Sequence, residues 1–239
     1  IVLRQVNLRI NKLSYNNSGV LRLHVENASL TEQSGMAVKG LKGEVYLDKQ
    51  GIRLPKTTLK TEHSTLKLSL NLPWKALEKP LPQLTSEIEG KIGWQDVLLY
   101  GRDYVDAKRL AKYPKKPLFI KGNFKGNVQH LAYNNLFIAM PNVITAKSSG
   151  TLHYLSTHPQ GKVIFNLRTG AELPKLYANF LPDLAKSVTL PNALTLDGNV
   201  DFTPSQYKLA STLSTGGGNA KIRGNLSPNS QAYSIDITA

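Results

Sequence analysis

Residues 195–202 read Thr-Leu-Asp-Gly-Asn-Val-Asp-Phe, with Leu196, Gly198, Val200 and Phe202 apolar or small and Thr195, Asp197, Asn199 and Asp201 polar between them. Successive side chains of an extended strand point to opposite faces, so strict alternation predicts a strand with one dry and one wet face. The cleanest case is Leu66–Leu72, where four leucines alternate with Lys67, Ser69 and Asn71. Val6-Leu8-Ile10 and Leu21-Leu23-Val25 repeat the pattern around Asn16-Asn17-Ser18-Gly19, whose Asn and Gly residues accept positive φ cheaply, and so predict a hairpin. Three strands are expected over 38–72 and one over 86–94, with Ile88, Gly90, Ile92 and Trp94 on one face. More follow through 117–169 and from Leu190 to the end.

An aliphatic-x-Gly core recurs as Leu41-Lys42-Gly43, Ile120-Lys121-Gly122 and Leu196-Asp197-Gly198, with glycines 79 and 76 residues apart. After each copy come a second alternating strand, a small-residue turn and a third strand. Asn134–Lys147 is the second strand of the middle copy and Ser148-Ser149-Gly150 its turn, in the same frame as Ser64-Thr65. A multi-strand unit repeated at a constant period predicts an elongated all-β assembly of antiparallel strands built by stacking.

Few segments depart from this plan. Pro73-Trp74 and Lys79-Pro80-Leu81-Pro82 interrupt the sheet. Asp103–Tyr113 carries a capping acid, acidic residues early and basic ones late, and a stop at Pro114, which predicts a short rim helix. Pro174–Phe180 predicts a second. No stretch is rich enough in Gly, Ser or Pro to divide the chain, so residues 1–239 read as a single repeat-built unit. The abrupt start at Ile1 and the end in mid-alternation at Tyr233–Ile237 suggest a segment of a longer protein.

Composition narrows the function classes. The chain has no cysteine, so it holds neither disulfides nor thiolate metal sites. No apolar run is long enough for a membrane-spanning helix. The net charge of +14 suits an anionic neighbour or simply a solvated surface. The basic residues are scattered along strands, apart from Lys112, Lys115 and Lys116, and no aromatic RNA-binding motif accompanies them, so nucleic acid is not an expected partner.

Motifs for chemistry are missing. His24, His63, His130, His153 and His158 have no metal-ligand spacing along the chain, and the acids Glu87, Glu89, Asp197 and Asp201 fall on wet positions. Thr215-Gly216-Gly217-Gly218 lacks the Gly-Lys-Ser/Thr ending of a phosphate loop and leads into a strand, so it reads as a hairpin turn. Neither an enzyme nor a cofactor is expected. Trp74 and Trp94 read as strand residues, too few to form the aromatic platform of an adhesin or carbohydrate-binding domain.

Pattern alone leaves the dry face with three closures: a sandwich, a solenoid, or a trough holding a ligand. The repeated aliphatic-x-Gly, together with the run Pro55-Lys56-Thr57-Thr58-Leu59-Lys60-Thr61-Glu62-His63-Ser64-Thr65-Leu66-Lys67-Leu68, resembles the AsmA-like superfamily, and within it the TamB family. Phe180–Leu184 and Leu190–Val200 are similar to spans of such proteins. The resemblance implies a sheet curled into a taco-like apolar groove that bridges the two membranes of a diderm bacterium and carries phospholipid acyl chains. It implies a periplasmic location, an inner-membrane anchor outside this segment and, as the alternative role, assembly of outer-membrane β-barrel proteins. The groove set it implies is Leu66, Leu68, Leu70, Ile120, Phe124, Leu194, Leu196, Val200, Phe202, Ile222, Ile235 and Ile237. Lys67, Lys112, Lys115 and Lys116 would face headgroups or solvent.

Overall fold

Short alternating runs broken by Gly, Asn, Asp and Pro let the backbone satisfy its hydrogen bonds most directly by pairing each strand with the next. In the computed structural model each strand pairs with the next. The strands are β1 (Leu3–Tyr15), β2 (Leu21–Glu32), β3 (Ala37–Leu47), β4 (Gly51–Lys60), β5 (Thr65–Pro73), β6 (Leu84–Ile92) and β7 (Leu118–Gly126). They continue as β8 (His130–Met140), β9 (Ile144–His153), β10 (Gln160–Thr169), β11 (Leu194–Thr203), β12 (Gln206–Thr215), β13 (Gly218–Ser227) and β14 (Ala232–Thr238). All fourteen form one antiparallel sheet in sequence order. The structure describes residues 3–32, 37–77, 83–101, 115–127, 129–155, 157–174, 193–228 and 232–239, with 178, 183, 186, 189 and 191 between.

The sheet is a single elongated, curved layer. The chain exposes 15634 Å² of surface, whereas a compact monomer of 26.3 kDa would expose about 10,600 Å². The excess is what a sheet without a second layer must show. Only four hydrophobic side chains among the described residues are buried: Val25, Trp94, Tyr133 and Val143. Trp94 and Val143 belong to connections at the sheet end, and only Val25 and Tyr133 lie within the sheet.

The repeat contains four strands, one more than its sequence outline. Gly43, Gly122 and Gly198 lie on β3, β7 and β11, and the fourth strand of the first two units (β6, β10) leads into a long connection, residues 93–117 and 170–193. Both connections follow an even-numbered strand of a strictly antiparallel meander, so both leave from the same end of the sheet. The second strand of units one and two is bulged, between Leu54 and Thr57 in β4 and between Tyr133 and Leu136 in β8. β12 keeps unbroken register with both neighbours. A bulge admits a residue without a ladder partner, which explains how Pro55 sits inside a strand and why Asn135 adopts φ 54°.

Several expectations are corrected. Residues 134–147 form the end of β8, the turn Pro141-Asn142-Val143 and the start of β9. Ser148-Ser149-Gly150 lies in the middle of β9, where the small side chains leave room for the buried ring of Tyr133, whose hydroxyl is 3.0 Å from Ser148 Oγ. A Cβ on Gly150 would stand 3.0 Å from that ring. Trp94 does not end a strand: β6 stops at Ile92, and Trp94 opens a helix, α1 (Trp94–Gly101). Trp74 is not a strand residue either: β5 ends at Pro73, where the sheet is expected to break, and Trp74 opens a 3-10 turn, Trp74–Leu77. The helix expected at 103–113 lies outside the described residues, as do most of 174–180 and 79–82.

Helix α1 is fastened to the β4–β5 turn. Thr61 Oγ1 and Ser64 Oγ both donate to the Asp96 carboxylate in its first turn, and Ser64 Oγ accepts from Gly93 N at 2.9 Å. Asp96 and Ser64 are buried, so these bonds are shielded from water. Asp96→Ala is expected to destabilise the protein by about 2–3 kcal/mol, the range for hydrogen bonds to a charged partner. The check is a lower urea midpoint, with Asp96→Asn intermediate. The second connection is tied in the same place one unit on. Gly170 N donates to Val143 O at 2.9 Å, and Lys116 Nζ bonds the Glu172 carboxylate and, at 3.1 Å, Pro141 O.

Candidate functional site

Residues paired directly across an antiparallel ladder lie on the same face, so the register traces each face strand by strand. One line runs Val25, Gly43, Thr57, Leu68, Ile88 and Gly122. Past Gly122 it meets Leu136, whose side chain lies 3.2 Å from where a Cβ would stand. It continues through Ser148, Phe165, Gly198, Ser211, Ile222 and Ile237. The three glycines spaced along the sequence therefore meet on one transverse line. A neighbouring line runs Leu41, Leu59, Leu66, Gly90, Ile120, Ile138, Ala146, Leu167, Leu196, Leu213 and Ala220.

All twelve residues of the expected groove set fall on this one face. Leu70 lies across from Leu54, Phe124 from Tyr133, Val200 from Val163 and Leu209, Phe202 from Tyr207, Leu194 from Thr215, and Ile235 from Gly224. The face is wider than that set. Leu136, Ile138, Val163, Phe165 and Leu167 join it. The first two were missed because the β8 bulge shifts the phase of alternation halfway along that strand, and the other three because the apolar Ile164 between them blurs the alternation of β10.

The condition of this face is the informative feature. From β5 to β13 the members of the set are half-buried. Each is flanked by its neighbours on the sheet, with no described element laid over it. At β14 cover falls away, and Ile235 is 64% and Ile237 65% exposed. Two hydroxyls on the same face, Thr57 Oγ1 and Ser211 Oγ, are buried without a hydrogen-bond partner. Each lies directly across from a repeat glycine, Gly43 or Gly198. The missing side chain lets Thr57 close in until its hydroxyl stands 3.1 Å from where a Gly43 Cβ would be.

The opposite face is polar and cross-linked. Glu44 receives Arg22 Nε at 2.7 Å and lies 2.6 Å from His24 Nδ1. Bonding to Arg22, and then to His24, holds the Glu44 carboxyl below the usual carboxylate range. The ring of Tyr46 lies between the guanidinium groups of Arg22 and Arg53, 5.2 and 5.6 Å from its centroid. Asp48 is lowered by the Gln50 amide in the β3–β4 turn and also takes Arg53 at 2.8 Å. Lys67 lies on this face opposite Glu89, Lys115 is exposed, Lys116 is used in the tie to Glu172, and Lys112 lies outside the described residues.

The fold and this face define a class: an open, single-layer, repeat-built antiparallel sheet with one apolar and one charged side. Comparison with protein-family models, curated proteins and solved structures returns no match.

Proposed function

We propose that this chain is a segment of a lipid conduit, its apolar face holding the acyl chains of phospholipids passing between the two membranes of a diderm envelope. The reading rests on the apolar face traced from β2 to β14, which has no described element laid over it. Apolar surface in contact with water costs about 25 cal/mol per Å², and an acyl chain gains about 0.8 kcal/mol for each methylene it buries. A face of this extent suits a long, flexible apolar ligand better than a small one. The resemblance to the AsmA-like superfamily adds the periplasmic setting and the inner-membrane anchor outside this segment.

A second reading, a scaffold for assembling outer-membrane β-barrels as in the TamB family, draws support from β14. Its side chains are exposed throughout, and among the described residues it has a partner on one side only. Such an edge can add a client strand by main-chain pairing.

A photoreactive residue at Leu196, with Asp197 as the opposite-face control, separates the two. The conduit requires phospholipid adducts from position 196 and none from 197. Polypeptide adducts from position 235, with no lipid at 196, would replace the conduit with the scaffold.

A further inference from the structure

On the charged face, His130 opens β8 and His153 closes β9, directly opposite each other in the ladder. Their Nδ1 atoms are 2.7 Å apart, and the rings meet edge to face with centroids 5.0 Å apart. The backbone holds both. Asn127 Oδ1 accepts from Gln129 N and His130 N, each at 2.9 Å, closing the β7–β8 turn onto His130. His153 is paired on its other side with Gln160 of β10. The ring of Tyr154 packs 5.7 Å from that of His130. His130 is exposed and His153 half-buried, so solvent reaches the pair.

We infer that His130 and His153 form a two-ligand chelate for a late first-row divalent cation, Cu²⁺ most tightly, then Ni²⁺ and Zn²⁺. Imidazole nitrogens bind such ions at about 2.0–2.1 Å, so two on one ion stand about 2.9 Å apart at a right angle and about 3.3 Å apart at the tetrahedral angle. The observed gap is nearest the right-angled arrangement of Cu²⁺ or Ni²⁺, and because the two Nδ1 atoms lie almost on the line between the ring centroids, each ring turns by about 35–45° to aim its lone pair at a shared ion. In the metal-free pair one ring donates its Nδ1 proton to the other. On binding, that proton moves to Nε2 of its own ring, both Nδ1 lone pairs turn to the ion, and the pair releases no net proton. Among the described residues no third His, Asp or Glu completes a cage. Water fills the remaining positions, which makes this an exchangeable surface site.

The inference is independent of the lipid reading, since it uses the opposite face. The test is Cu²⁺ titration of the full chain by calorimetry and electron paramagnetic resonance. One ion per chain is expected, with hyperfine structure from two nitrogens. His130→Ala and His153→Ala should each weaken binding at least tenfold, while the turn variant His63→Ala/His158→Ala binds as the parent does. A parent spectrum with one nitrogen or none would overturn the site without recourse to any variant. So would equal loss in the turn variant, or unchanged affinity in His130→Ala/His153→Ala.

Discussion

Leu68→Glu is expected to abolish phospholipid binding while leaving the protein folded. Leu68 sits mid-sheet on the apolar face, between Thr57 and Ile88 across the ladder, and is half-buried. In the lipid-free protein water reaches this face, so a carboxylate there stays hydrated, and the stability loss should be only about 1–2 kcal/mol, an ordinary single-site change. An acyl chain laid along the same line would strip that water from an unpaired charge, costing at least a few kcal/mol. Each 1.4 kcal/mol is tenfold in affinity, so native mass spectrometry should register more than a tenfold fall in bound phospholipid. Thr58→Glu is the control. It adds the same charge on the opposite face, between Lys42 and Lys67, and should bind lipid as the parent does. Lipid retained in Leu68→Glu at parental level would rule out the conduit.

Gly43→Ala should destabilise the protein by about 3 kcal/mol or more. Gly43 has φ +146°, where an L side chain is strained, and an added Cβ would stand 2.3 Å from Lys56 O and 2.9 Å from Thr57 Cα. Those are backbone atoms of the β4 bulge and cannot swing aside. Gly217→Ala meets only the Thr215 hydroxyl, at 3.7 Å, and should change stability by less than about 0.5 kcal/mol. Urea midpoints of the two variants make the comparison. Equal midpoints would mean that the glycine line does not set the spacing between β3 and β4.

The glycine period illustrates what can be read along the chain. Spacings of 79 and 76 residues mark the repeat, and leucines at every second place in β5 mark its dry face, because both depend only on the two-residue periodicity of a strand. The pattern misleads where that periodicity breaks. The two-residue phase is lost at the β8 bulge, so alternation alone joins β8 to β9 and makes Ser148-Ser149-Gly150 look like a turn. Those small residues answer to Tyr133 on the neighbouring strand, a partner invisible to local pattern. Trp94 continued the alternation of β6 on paper, yet the chain turns into a helix there. Gly93 permits the turn, since a Cβ would stand 2.4 Å from that of His63, and Asp96 then reaches Thr61 and Ser64 more than thirty residues earlier. His130 and His153 are twenty-three residues apart, too far for any local ligand motif, and meet only through register.

By itself, then, the sequence determined an all-β repeat with one apolar and one charged face, because side-chain alternation is a local property of extended backbone. The tertiary structure decided that the sheet stays one layer deep, that the three glycines share a line, and that the apolar face is left without a described cover. Those outcomes depend on which strands become neighbours and on where bulges shift their register, and long-range pairing leaves no periodic mark on the chain.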